Sequence, residues 1–154
     1  VQLPTLLTWH SFNGGVDVLG STLELLRARQ QRVRRVLYLV EKDTPLQDEV
    51  VMAQAAGAEI EILRLLLKDP TRHEAVYTCV RDEVIPRVRG CSALHVNVSP
   101  GTPAMHAVWL ILHAAGALPS GTQLWSSQYD KKQDLGVSSP WTSNFAPTSA
   151  KSAG

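Results

Sequence analysis

Cysteine is scarce in this chain, with only Cys79 and Cys91 among 154 residues, and neither lies in the paired spacings that hold zinc or an iron–sulfur cluster. This excludes a disulfide-stapled scaffold. With no secretory leader in the sequence as it stands, the expectation is a reducing, cytoplasmic setting and two buried thiols. A charge bias is missing as well, since 15 basic side chains face 14 acidic ones. No global field draws the chain to nucleic acid or an anionic membrane, so any anion must be held locally. The most apolar stretch, Ala104 to Leu118, is interrupted by His106 and His113 and falls short of the roughly 20 residues of a membrane span. Neither GxxxxGK[ST] nor GxGxxG occurs, which leaves an ordinary ATPase or dinucleotide site without support. No cofactor and no metal is expected: His106 and His113 stand about two helical turns apart, too far for the i, i+4 pair that grips an ion.

What is present is alternation. Gln2 to Trp9 reads as a strand, Leu19 to Arg29 as a helix with Leu19, Leu23 and Leu26 on one face, and Arg34 to Val40 as a second strand. Leu46 to Ala56 follows as a helix ended by Gly57, then Ile60 to Leu66 as a third strand. Asp69-Pro70-Thr71 signals a helix carrying Val76, Val80 and Val84, which Pro86 should kink or end. Ala93 to Val98, Pro103 to Ala115 and Leu124 to Ser127 complete a βαβαβαβαβ pattern. The fold class is therefore α/β, a Rossmann-like parallel sheet of about five to six strands with helices on both faces. In the common order 3-2-1-4-5, strands one and four are neighbours and a crevice opens at their carboxyl ends. Residues 1–133 form the expected domain. From Asp134 to Gly154, serine, threonine, glycine and proline accumulate without period, as in a linker or loosely ordered tail. The chain starts without methionine, directly in a strand-like run, as a fragment of a longer protein would. The basic run Arg27 to Arg35 reads as a solvated helix end.

Two loops border the expected crevice. After strand four, Thr102 suits the N-cap of the next helix and Pro103 its first turn, where a missing amide proton costs nothing. Gly101 clears the backbone for a ligand, the helix start favours a phosphate, and Asn97 and Ser99 add side-chain donors and acceptors. After strand one come Thr8, Trp9, His10, Ser11, Phe12 and Asn13, then Gly14-Gly15 for a tight turn. The rings of Trp9, His10 and Phe12 offer faces for a purine, although for Trp9 a place in the core is preferred. His95 is expected to be satisfied within the fold. Candidate ligand-binding residues are Thr8, Trp9, His10, Ser11, Asn13, Asn97, Ser99, Pro100, Gly101, Thr102, Pro103 and Met105, and no residue is assigned a catalytic role. The helix from Met105 to Ala115, with Val108, Trp109, Leu110, Ile111 and Leu112, is apolar on nearly every side and calls for burial against both sheet and neighbour.

The run Asn-Val-Ser-Pro-Gly-Thr-Pro-Ala-Met at Asn97 to Met105, following three βα units, resembles the strand-four motif of the CRISPR-associated Rossmann-fold (CARF) sensory domains. The version in RNA-repair transcriptional activators, where the domain precedes an ATPase module, is included in that likeness. It extends over roughly Leu3 to Tyr129. The strand-one loop departs from the family's shorter Gly-Thr or Ser-Pro turn. The resemblance implies a homodimer that binds cyclic oligoadenylate, tetra-adenylate foremost, and allosterically controls a fused or missing effector in antiviral signalling. A twofold receptor suits a ring with an even number of repeats. The same fold also implies two alternatives: a metal-independent ring nuclease that cleaves its messenger, or the ligand-sensing domain of an RNA-repair transcriptional activator.

Overall fold

The computed structural model describes residues 3–12, 14–130 and 135–140, with side chains described for 3–12 and 14–126. Asn13 therefore lies outside the described residues. The elements run β1 (Thr5–Trp9), α1 (Gly15–Ala28), β2 (Arg35–Glu41), α2 (Glu49–Ala55), β3 (Glu59–Leu65), α3 (His73–Cys79), α4 (Ile85–Val88), β4 (Leu94–Asn97), α5 (Pro103–Ala114), β5 (Gln123–Asp130) and β6 (Leu135–Pro140). They form one sheet in the order β3-β2-β1-β4-β5-β6, with the first five strands parallel. The expected doubly wound order is thus observed. β6 is added antiparallel to β5. Regular structure accordingly runs past the expected boundary at residue 133.

Strand periodicity divides the core in two. Leu7, Trp9, Leu37, Leu39, Leu94 and Val96 face α3, α4 and α5, where they meet Val76, Val84, Val108, Trp109 and Leu112. Leu6, Val36, Tyr38, Val40 and Trp125 face the other way, against Leu19, Leu23 and Leu26 of α1. The side chain flips at each residue, so the central strands β1, β2 and β4, buried on both faces, serve both cores. Because α1 and α5 pack on opposite faces and follow the adjacent strands β1 and β4, the chain reverses its winding at that seam.

Two local expectations meet the structure differently. Pro86 distorts its helix rather than ending it: residues Val80–Val84 form a π-helical turn between α3 and α4, and the Ile85 amide reaches Val80 O. Widening the turn absorbs the irregularity next to a proline that lacks a donor. Cys79 is half-buried rather than the buried thiol expected, whereas Cys91 is buried, and neither forms a disulfide. Burial, with Glu83 and Asp82 nearby, pushes the Cys79 thiol up to about 11, which keeps it protonated and unreactive near neutrality. Among the described residues, no helix is long and apolar enough to cross a membrane.

Candidate functional site

The β4–α5 loop is built by internal bonds. Thr102 Oγ1 accepts the Met105 amide at 3.3 Å as the N-cap and donates to Pro70 O at 2.7 Å, which ties the start of α5 to the loop before α3. The Thr102 amide in turn faces Met105 Sδ at 3.3 Å. Of the first-turn amides, Pro103 has none and Met105 is capped, and Ala104, 1% exposed, is the one left without a partner inside the helix. Gly101 has a φ of +100°, and a Cβ there would collide with Met105 Sδ. The glycine is therefore demanded by the fold, whatever it contributes to ligand approach.

Asn97 is 1% exposed. Its Nδ2 donates to Thr22 Oγ1 at 3.2 Å, and its Oδ1 accepts the Ser99 amide at 3.2 Å. It thus links β4, α1 and the loop, as well as standing at the rim. The Ser99 hydroxyl lies 3.5 Å from that of Ser126 and is only partly buried. Pro100 and Met105 are buried, Gly101 and Thr102 half-buried, and Pro103 exposed.

On the β1 side the structure separates residues that stand next to one another in sequence. Trp9 is 2% exposed and packs in the core beneath α5, so it offers no free face to a purine. Thr8 is buried, its hydroxyl bonded to Trp9 O. Thr8, Ser11, Thr22, Tyr38 and Asn97 enclose a space too narrow for even a water molecule. Ser11 and Ser99, both partly exposed, stand at the outer edge of this seam. Phe12 stands exposed at the loop tip. His10 is nearly buried, with Nε2 at 3.4 Å from Glu49 Oε2.

Two participants escaped the sequence reading, Glu49 and Tyr38. Glu49 starts α2 yet is 2% exposed, and its Oε1 accepts the Gln47 amide at 2.7 Å. Burial, and next the Glu49 charge, push the Tyr38 hydroxyl well above its ordinary range, so it stays neutral. An acidic residue at a helix start is common, and nothing in the local pattern marked this one as buried.

A larger cleft, of about 970 Å³, lies farther along the same carboxyl edge, past β2 and β3. Its charges are mixed and largely engaged: Arg64 bonds the carbonyls of Lys42 and Thr44, Arg72 pairs with Glu74, and Asp69 takes the Thr71 amide. A smaller groove of about 490 Å³, lined by Phe12, Lys42, Pro45 and Leu66 among others, adjoins it and leads back to the β1–α1 loop. The seam between β1 and β4 is the better candidate despite its small volume, because the β1–α1 loop, the capped β4–α5 loop and both helix starts converge there. His95 is satisfied within the fold by the Trp125 indole.

No family model matches the chain, and no curated protein does. Among solved structures, Csm6 of Enterococcus italicus bound to cyclic hexa-2'-fluoro-hexa-dAMP is similar with a TM-score of 0.62 and 15% identity, over 82% of this chain and 34% of that one. Can2 of Sulfobacillus thermosulfidooxidans in complex with cyclic tetra-adenylate is similar with a TM-score of 0.51 and 14% identity, over 86% of this chain and 36% of that one. The chain thus spans about a third of the length of each. These likenesses are of fold, and the fold is the Rossmann-like one that the CARF resemblance implies.

Proposed function

We propose that this chain is the sensory domain of a longer protein, which binds a cyclic oligoadenylate on the rim between the β1–α1 and β4–α5 loops and passes its occupancy to an effector. The observation that carries this reading is the convergence of Ser11, Asn97, Ser99 and the capped start of α5 at the winding reversal of the sheet, in a fold similar to two structures that hold cyclic adenylate rings or their analogue. Donors at a helix start suit the phosphates, and small polar side chains suit ribose and base edges.

The receptor works as a homodimer through the outer face of α5. Trp109, which the sequence alone left to either sheet or neighbour, is wholly buried within its own subunit. The outward stripe is instead Pro103, Ala107, Leu110, Ile111 and Ala114, with Ile111 exposed. Two such stripes meeting on a twofold axis would bring two rims together for one ring.

Calorimetric titration with cyclic tri-, tetra- and hexa-adenylate, followed by chromatography of the recovered ligand, tests the reading. Heat with tetra-adenylate and an intact ring supports a sensor, and recovery of a linear product would turn it into a ring nuclease. Absence of binding to all three rings would overturn it.

A further inference from the structure

His10 joins three elements at the end of β1. Its amide donates to Leu39 O at 2.7 Å, and its imidazole lies edge-on to Tyr38 at 5.9 Å and to Phe12 at 5.6 Å between ring centroids. Behind it stands the buried Glu49 carboxylate. Such a group is costly to bury unless a cation or donor faces it. Among the described residues, the side chain with a cationic form placed against it is His10. The fit is close: a Cβ at Gly15 would stand 2.8 Å from His10 Nε2 and 3.1 Å from Glu49 Oε2. A side chain at the first residue of α1 would push this pair apart.

In front of His10, Phe12 is 59% exposed and lines the groove with Pro45, Leu66 and Lys42. A phenyl ring held from behind by an edge-on neighbour and open in front is a platform for a flat base. Lys42 stands in the same groove between Glu41 and Asp43, so the groove offers the base an aromatic face rather than a cationic one.

We propose that Glu49 is a positioning residue of the ligand site. By holding the His10 imidazole it sets Phe12 as the face on which one adenine of the ring stacks. This role rests on the cyclic oligoadenylate reading above. Glu49 touches no ligand itself and acts through His10.

The test combines nitrogen-resolved NMR of the His10 imidazole in the free chain, assigned with His10→Gln, with calorimetric titration of cyclic tetra-adenylate. Glu49→Ala should move the His10 nitrogen resonances and weaken binding by about tenfold or more, the worth of one base stacked on an aromatic ring. Phe12→Ala should weaken binding equally, and the double variant should bind no worse than either single one, because both remove the same contact. Glu49→Gln, which keeps the acceptor for the Gln47 amide but turns an NH2 donor toward His10 Nε2, should recover part of the affinity. Unmoved His10 resonances, or Glu49→Ala binding as tightly as the parent, would overturn the role. Phe12 is exposed, so if Glu49→Ala fails to fold, Phe12→Ala decides alone: unchanged affinity there overturns the proposal too. A parent chain that binds no ring overturns the ligand reading itself, a result distinct from a parent that binds while its variants bind equally.

Discussion

Trp125 donates its indole N–H to His95 Nδ1 across 3.1 Å, joining β5 to β4 on the α1 side of the sheet. His95 is 5% exposed, and burial holds its imidazole below the ordinary value of 6.5. Because Nδ1 accepts, the folded form needs the neutral ring with its proton on Nε2. The unfolded chain takes up a proton first as pH falls, so this contribution to stability is complete above 6.5 and is lost as pH drops toward the lowered folded value. His113, also lowered by burial, acts in the same direction. The melting temperature should therefore fall between about pH 7 and pH 5.5, and His95→Gln should flatten that dependence. A parent curve no steeper than that of the variant would refute the assignment.

Trp109 and Ile111, two positions apart on α5, should respond in opposite ways. Trp109 is fully buried and its indole nitrogen has no hydrogen-bond partner among the described residues. Trp109→Ala should cost about 3–5 kcal/mol in urea unfolding, whereas Trp109→Phe, which removes the unpaired donor, should cost less. Ile111→Glu should leave the melting temperature nearly unchanged and convert dimers to monomers in sedimentation. If the parent chain sediments as a monomer at micromolar concentration, the α5 dimer is wrong.

Gly101 is constrained twice, by its φ of +100° and by Met105 Sδ in the path of any Cβ. Gly101→Ala should destabilise the chain by about 1–3 kcal/mol. In a Met105→Ala background the collision disappears and only the backbone term remains, so the added cost of Gly101→Ala should shrink. Equal costs in both backgrounds would show that Met105 is not the obstacle.

Asn97 and Ser99 should separate binding from folding. Ser99→Ala should weaken cyclic tetra-adenylate binding by about tenfold with little change in melting temperature. Asn97→Ala should lower both, since it also strands Thr22 and the Ser99 amide. Arg32→Ala and Arg34→Ala, both exposed and at the amino end of β2, should change neither. Should the arginine variants lose binding while Ser99→Ala keeps it, the crevice is not the site.

The sequence by itself determined the architecture, because each step of it is local. Alternating strand and helix periods, Gly57 at a left-handed C′ position and Thr102-Pro103 at a helix start are written in neighbouring residues, and the right-handed crossover rule then orders the strands. The β4–α5 motif was legible for the same reason. Trp9 was not, since a strand alternates its sides and only packing against α5 shows that its indole is core while His10, one residue on, turns to the opposite face. Trp109 was hidden likewise: a helix apolar all round does not tell which face meets the sheet. Glu49 lies 39 residues from His10, and their contact exists only because β2 and α2 bring the first turn of α2 beside the β1–α1 loop. Local chemistry is encoded in local sequence, whereas burial of a charge is decided by whatever the rest of the chain folds around it.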